Sequence, residues 1–197
     1  MSEETFPVSV LARPGLEFVL IQPSARRKVS LASRAASLIP YIIVGMGWLA
    51  AAFAATVVAW FAILFTGQYP SALFTFNARA LRFLVRANAY SFLLVDARPS
   101  LSGAMDPAYP LQVEVTPLAE YNRLLTLFRF PLLIPLYVVT SLAMLVAFVA
   151  WLPSLLMITV FRHQPASLQR ILAFALRIDA RFISSSFLLT EILWISD

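Results

Sequence analysis

Two long stretches without a charged residue constrain this chain more than any other feature. The first runs from residue 35 to residue 78, and the second runs from residue 130 to residue 161. A helix over about 35–65 would be about 46 Å long, and the hydrocarbon core of a bilayer is about 30 Å thick. The pattern therefore predicts two membrane-spanning helices, about 35–65 and 130–161, the first of which tilts or protrudes.

The composition argues against a soluble globular domain. Of the 197 residues, 60% are hydrophobic and 13% are charged, whereas an average soluble domain is roughly 25% charged. A chain of this length could not bury so much apolar surface. The net charge is +5, but the basic residues flank the apolar segments, which favours membrane orientation and anionic lipid over nucleic acid. The acidic first five residues have no apolar segment beside them, so we expect the first membrane helix to direct insertion.

Each spanning helix is followed by a turn signal and a second helix that carries arginine. The predicted helix at 71–95 places Arg79, Arg82 and Arg86 on one face, and the predicted helix at 166–190 carries Arg177 and Arg181. Alternation of apolar and polar residues predicts short strands at 16–21 and 111–116. The predicted fold is all-α and membrane-integral, apart from a short strand near the start of each half.

The two halves resemble each other at a period of 95 residues. Residues 70–96 align without a gap on 165–191, with 11 identities in 27 positions. The matches include both arginine pairs, Arg82/Arg86 and Arg177/Arg181. We therefore predict an internal duplication, with one repeat at 1–96, a polar linker at 97–110 and a second repeat at 111–197.

Several motifs of the first half are similar to those of a known family. They are WFAILFTGQYP at 60–70, LFTFN at 73–77, LR at 81–82 and AYSFLLVD at 89–96. They resemble the domain-of-unknown-function 4389 family, small bacterial membrane proteins with a repeated F-T-G-x-Y-P, F-x-F-N and A-Y-x-x-L-L-x-D pattern. The second half departs from it, since FRHQP at 161–165 replaces the turn and Leu172 replaces Asn77. The resemblance implies a membrane protein and brings no assigned activity. We expect a multi-pass protein of the bacterial cytoplasmic membrane.

Two topologies are compatible with this sequence. In the first, the helices at 71–95 and 166–190 lie in the membrane interface and the chain crosses twice, because three arginines near a helix centre cost about 7–10 kcal/mol of insertion energy. In the second, they also cross. The second keeps positive charge on one side and places the strands at 16–21 and 111–116 together, where they could pair. The energy scale favours two crossings with two interfacial helices.

The arginines and a ridge of small residues are the candidate interaction sites. Arg79, Arg82, Arg86, Arg177 and Arg181 are candidate contacts for lipid phosphate or another anion, because guanidinium groups four residues apart repel unless an anion bridges them. Ordinary anchoring at the interface is the plainer interpretation. A second feature lies on the first span and favours close helix packing, within the chain or against another protein. Its small residues recur at every fourth position: Gly47, Ala51, Ala55 and Ala59.

No catalytic, metal or cofactor constellation stands out in the sequence. His163 is the single histidine, and a solvated turn is its ordinary place. Asp179 lies on the second arginine-bearing helix, where a polar contact within the bundle is the plain interpretation and a proton relay a weaker one. We expect a non-enzymatic accessory or scaffold subunit with a protein partner or a second copy in the membrane. The alternative is a lipid or small-anion carrier that uses the arginine pairs.

Overall fold

The computed structural model describes residues 7–13, 16–21, 31–161 and 164–190, and it is mostly helical. Two long apolar helices are each followed by a shorter helix, in the predicted order. The elements are β1 (Pro7–Arg13), β2 (Leu16–Ile21), α1 (Leu31–Thr66), α2 (Ser71–Ser91), β3 (Leu111–Glu114), α3 (Arg123–Leu127), α4 (Arg129–Phe161) and α5 (Ala166–Ser186). Strand β1 and helix α3 were not predicted, so an all-α description with two isolated strands is too simple.

Helices α1 and α4 are long and apolar enough to cross a bilayer, by length and composition. The qualifying segments are Leu38–Thr66 and Arg129–Ile158, and about a fifth of each is buried within the protein. Each helix packs through one narrow stripe, which includes Ala52 and Ile63 on α1 and Ala147 on α4. Most of the remaining surface of both helices is apolar and exposed, an arrangement typical of helices that face lipid.

Helices α2 and α5 form the centre of the protein. Helix α1 packs on α2, α4 packs on α5, and α2 packs on α5. Fully buried apolar side chains from both central helices, including Leu81, Val85, Leu172 and Leu176, belong to one hydrophobic cluster. The amphipathic pattern of α2 and α5 therefore serves to bury an apolar face inside the protein.

Both central helices end in the same way, four residues earlier than predicted. In each, a leucine at the second position after the helix takes a positive φ, 62° at Leu93 and 59° at Leu188. The amides of Leu93 and Leu94 donate to the carbonyls of Tyr90 and Ala89, which is the Schellman pattern. The amides of Leu188 and Leu189 repeat it on Ser185 and Ser184. Glycine is the usual residue at this position, so the sequence carried no stop signal.

The strands form one antiparallel sheet in the order β1-β2-β3. Strand β2 pairs with β3 in the register Phe18 to Val113 and Leu20 to Leu111. These four side chains are buried in the main hydrophobic cluster. The sheet therefore covers the helical core, which explains why its apolar residues alternate with others along each strand.

Contacts between distant segments define the path of the linker after α2. The amide of Tyr121 donates to the carbonyl of Gly67, just past the end of α1, and the indole of Trp60 donates to the carbonyl of Thr126. At the far end of α4, the indole of Trp151 donates to the carbonyl of Ser91. The linker thus returns along the protein, and α4 runs opposite to α1.

This path combines features of the two predicted topologies. Strands β2 and β3 pair, as the four-crossing topology allowed. Helices α1 and α4 begin at opposite ends, as the two-crossing topology required. Helix α2 lies lengthwise against α1, because contacts occur at two separated points along both helices. The ring centroids of Tyr41 and Tyr90 are 5.7 Å apart, and the side-chain amide of Asn77 donates a hydrogen bond to Thr56 Oγ1.

We expect Gly103→Ala to destabilise the protein by about 2–4 kcal/mol. Gly103 has a φ of 61°, and a Cβ atom there would overlap the carbonyl oxygen of Arg79. Thermal unfolding in mild detergent, followed by tryptophan fluorescence, measures the loss. Gly47→Ala is the control, because nothing lies within 4 Å of its added Cβ. Equal midpoints for the two variants would contradict the close approach of the linker to α2.

Candidate functional site

A buried polar network joins α1, α2 and the end of α5. The side-chain amide of Asn77 donates to the hydroxyl of Tyr69 at 2.8 Å and to Thr56 Oγ1 at 3.0 Å. The Tyr69 hydroxyl in turn donates to the carbonyl of Phe187 at 3.0 Å. Burial raises the pKa of Tyr69 well above its ordinary value of 10, so this hydroxyl keeps its proton and stays a donor.

This network accounts for two motifs of the first half. Tyr69 belongs to the turn motif, and Asn77 ends the LFTFN motif. The corresponding position of Asn77 in the second half is Leu172, which is fully buried in the hydrophobic cluster. The amide oxygen of Asn77 is buried and has no hydrogen-bond partner in the described part of the chain. The motifs therefore specify a joint between the halves that the second half does not repeat.

The first arginine pair binds main-chain carbonyls of the linker and β3. Arg82 Nε donates to the carbonyl of Val113 at 3.0 Å. Arg86 Nε donates to Leu111 and its Nη1 donates to Ala104 at 2.8 Å. Arg86 also lies 4.8 Å from the centre of the Tyr109 ring, within the range of a cation–π interaction. The pair thus fastens the linker to α2.

Burial governs the electrostatics of these arginines. The side chain of Arg86 is 1% exposed, and its Nη2 has no hydrogen-bond partner in the described part of the chain. Burial lowers the pKa of Arg82 and of Arg86, although Glu114 opposes the change at Arg82 and Tyr109 opposes it at Arg86. Arg86 is enclosed by protein, which leaves little room for a bridging anion.

The other predicted arginines lie in different surroundings. Arg177 and Arg181 are half-buried on α5. Burial lowers the pKa of Arg177, and its Nε is buried without a hydrogen bond among the described residues. Arg79 is exposed, and it lines a shallow open depression with Ser71, Ala72, Thr75 and Phe76. Of the three arginines on α2, Arg79 is exposed, Arg82 is half-buried and Arg86 is buried.

Asp179 connects the two central helices. Its Oδ2 accepts a hydrogen bond of 2.7 Å from the side-chain amide of Asn88. Burial raises the pKa of Asp179 from 3.8 to about 6, and the bond from Asn88 opposes part of that rise. The carboxyl group is a polar contact between α2 and α5, in line with the plainer of the two predictions.

Arg129 makes a structural contact that no sequence pattern predicted. Its guanidinium donates to the carbonyl of Ser185 at 2.9 Å and also to the carbonyl of Thr190. The Ser185 carbonyl lies in the last turn of α5 and the Thr190 carbonyl lies just beyond it, where a cation also compensates the helix dipole. In the sequence, Arg129 marks only the boundary of an apolar stretch.

The residues of the small-residue ridge become less exposed from its first position to its last. Gly47 and Ala51 are exposed, Ala55 is half-buried and Ala59 is fully buried. A spacing of four residues advances about 40° around a helix at each step, because one turn takes 3.6 residues. The contact of α1 with α2 instead includes Gly45, close to Phe83, and Thr56. The first two ridge positions are therefore not an internal packing face.

No metal-binding cluster is present within residues 7–13, 16–21, 31–161 and 164–190. In these segments no three histidine, cysteine, aspartate or glutamate side chains lie close enough together to hold a metal ion. His163, the single histidine, lies outside the described residues.

Residues 28–102 match the model of one protein family, described as Domain of unknown function (DUF4389). The matched segment contains α1, α2 and the first part of the linker. The match confirms the resemblance drawn from the sequence motifs. No curated protein and no solved structure matches the chain.

Tyr69→Phe should lower the free energy of unfolding by about 1–3 kcal/mol. The change removes the donor to Phe187 and leaves that carbonyl unpaired within the core. Tyr137→Phe provides a matched control because Tyr137 is 58% exposed. Denaturant unfolding in detergent compares the variants. Equal losses at the two positions would mean that the buried network contributes nothing particular.

Asp179→Asn should stabilise the protein at neutral pH by up to about 3 kcal/mol. The folded-state pKa exceeds the unfolded value, so the folded protein holds its proton more tightly. Stability is therefore lost as pH rises from 3.8 to about 6 and stays lost above it. Unfolding midpoints across that range should fall in the wild type and stay level in the variant. Asp106→Asn, at an exposed position, should keep the wild-type slope.

Proposed function

We propose that this protein is a non-enzymatic accessory or scaffold subunit of a larger complex in the bacterial cytoplasmic membrane. The proposal proceeds from the match of residues 28–102 to the DUF4389 family model. The apolar surface that α1 and α4 leave uncovered carries the proposal. Ile43, Phe53, Leu142 and Val149 illustrate it, each more than half exposed. A surface of this size and character fits lipid and neighbouring membrane helices better than water.

In this proposal α1 and α4 cross the bilayer in opposite directions, as halves of an inverted duplication. The observations that support it are the antiparallel course of the two helices, the matching helix bounds of α2 and α5, and the positive φ shared by Leu93 and Leu188. Buried alanines at equivalent positions, Ala52 and Ala147, add to them. Duplicated membrane units commonly pack about a pseudo-two-fold axis.

Basic residues orient the protein in the same proposal. Arg26, Arg27, Lys28 and Arg34 precede or begin α1, and Arg162 follows α4. With α1 and α4 antiparallel, these residues belong to the same side of the membrane. The positive-inside rule assigns that side to the cytoplasm. The turn at Gln68 then faces the opposite compartment.

A second candidate function is the binding of an anionic lipid or small anion. The observation that favours it is the exposed guanidinium of Arg79 beside an apolar surface. Arg82 and Arg86 carry less weight in this candidate, because both donate to main-chain carbonyls.

Tagged purification from native membranes in mild detergent tests the subunit role. We expect a partner protein at a fixed ratio to the tagged chain, with the same ratio after extraction in a second detergent. The partner should decrease in the membrane when this chain is deleted and return when it is re-expressed. A homogeneous chain without a protein at fixed ratio, together with unchanged levels of all other membrane proteins on deletion, would contradict the proposal.

Single cysteines should report the crossing of the membrane, because the chain contains no cysteine. Gln68→Cys and Ala166→Cys both change exposed residues. A membrane-impermeant maleimide should label the cysteine at 68 in intact cells and the one at 166 only after permeabilisation. Labelling of both from one side would favour four crossings and contradict the antiparallel spans. Both variants must label fully in detergent, which is the control for access.

A further inference from the structure

An exposed charge of this protein lies beside the middle of a proposed membrane span. The side-chain amide of Asn77 on α2 donates to Thr56 Oγ1 on α1 at 3.0 Å, near the middle of the apolar segment Leu38–Thr66. Arg79 lies two residues further along α2 and is exposed. With α1 crossing the bilayer as proposed, this guanidinium lies at the depth of the hydrocarbon core, which is about 30 Å thick.

The described part of the chain does not neutralise Arg79. Its guanidinium makes no hydrogen bond or ion pair among these residues, whereas Arg82 and Arg86 donate to main-chain carbonyls. Arg82 lies near enough to repel it. A charged side chain at this depth faces protein or a water-filled cavity rather than lipid, because its transfer into hydrocarbon is costly. Arg79 therefore needs a polar neighbour outside the described residues.

A carboxylate is exposed close to the same position. Glu114 ends β3 and is exposed. Glu114 attracts Arg82 and Arg79 repels it, so both lie within electrostatic range of one guanidinium. The carbonyl of Val113, next to Glu114, accepts a bond of 3.0 Å from Arg82 Nε. Arg79 precedes Arg82 by three residues, about 4.5 Å along the helix, so Arg79 and Glu114 lie at similar depths.

The surface around these two charges is shallow and open. The depression beside Arg79 is lined by small or polar side chains and one aromatic ring. Small-molecule sites are concave, so an open polar surface at this depth suits a protein neighbour instead. We call this surface the polar face, and its residues are Ser71, Ala72, Thr75, Phe76, Arg79 and Glu114.

We propose that a second copy of this chain packs against the polar face, with Arg79 of each copy bound to Glu114 of the other. In a two-fold contact one surface must complement itself, since residue i meets residue j and j meets i. A cation and a carboxylate at similar depths satisfy that condition, and a two-fold axis along the membrane normal keeps both copies in one orientation. Each copy would then neutralise the exposed charge of the other.

This inference rests on the proposed membrane crossing, because an arginine exposed to water needs no partner. It deepens the proposed subunit role by naming a second copy as one partner. The presence of both charge signs on one face favours a second copy over an unrelated protein, for which a face of a single sign would be sufficient.

Charge reversal tests the pairing in the full chain. Two differently tagged wild-type copies, expressed together, should co-purify in mild detergent and form a dimer by native mass spectrometry. Arg79→Glu makes both pairs acidic and Glu114→Arg makes both pairs basic. Either change should raise the dissociation constant about a hundredfold, about tenfold for each repulsive pair. Arg170→Glu, at an exposed position on α5, is the matched control and should leave the constant unchanged.

Mixing the two variants separates a lost contact from a lost fold. Between an Arg79→Glu chain and a Glu114→Arg chain, both pairs join opposite charges, so association should return to the wild-type level. Variants that unfold at the wild-type temperature but do not associate when mixed would overturn the pairing.

Cysteine cross-linking reports the same contact with uncharged substitutions, because the chain contains no cysteine. Arg79→Cys in one tagged copy and Glu114→Cys in the other should form a disulfide between copies when membranes are oxidised. Arg170→Cys with Glu114→Cys is the control and should not. Equal cross-linking in the two combinations would contradict a specific contact at the polar face.

The remaining outcomes separate this inference from the proposals on which it rests. Wild-type copies that never co-purify or cross-link would overturn the second copy. A different protein held at the polar face and lost in Arg79→Glu would also overturn it, while leaving the subunit role intact. Release of the wild type by alkaline carbonate would refute the membrane location itself, whereas firm retention without association of copies would refute only this inference.

Discussion

The bonds from Arg82 and Arg86 to main-chain carbonyls determine much of the remaining architecture. The buried guanidinium of Arg86 and the half-buried one of Arg82 need acceptors where water is scarce, and a linker segment needs donors for its carbonyls. Carbonyls of Ala104, Leu111 and Val113 meet that need on α2. The linker is thereby held along α2 and continues to Tyr121 at the end of α1. Helix α4 must then begin at that end, which makes it antiparallel to α1.

The hydropathy of the sequence was sufficient to predict the helices, but not how they pack against one another or in which direction α4 runs. Uncharged stretches longer than a bilayer leave few alternatives, so α1 and α4 lie close to their predicted bounds. The ends of α2 and α5 were misplaced because a leucine, not a glycine, takes the positive φ at positions 93 and 188. Strand β1 was not predicted, because the consecutive apolar residues Val10, Leu11 and Ala12 interrupt the alternation in 7–13.

The insertion energy that favoured two crossings assumes that each arginine faces lipid. In the structure, Arg86 faces protein carbonyls and an aromatic ring, and a partner of this kind offsets much of the cost. The sequence favoured an interfacial position for α2, whereas in the structure α2 packs lengthwise against α1. Pairing partners that are distant in sequence, such as Arg86 and Leu111, leave no local pattern that could have revealed them.

The two halves share a framework but differ in their polar contacts. Tyr69 and Asn77 form a joint to Phe187, while the second half has buried Leu172 in place of Asn77. Asp179 has no acidic counterpart in the first half, where Leu84 takes its place. Each half therefore contributes one polar contact that the other lacks. The bond from Tyr69 reaches Phe187 at the end of α5, and Asp179 on α5 accepts a bond from Asn88 on α2. Because these contacts join the two halves, each half depends on the other for stability.

The same linker explains why one arginine of α2 differs from its neighbours. At Gly103 the linker passes so close to the main chain of Arg79 that a side chain would overlap the carbonyl oxygen. It covers the helix on that side and then supplies carbonyls to Arg86 and Arg82. The Arg79 side chain is exposed beside Phe76. Position relative to the linker, more than position along the helix, thus separates the two arginines that bind the linker from the one that stays exposed.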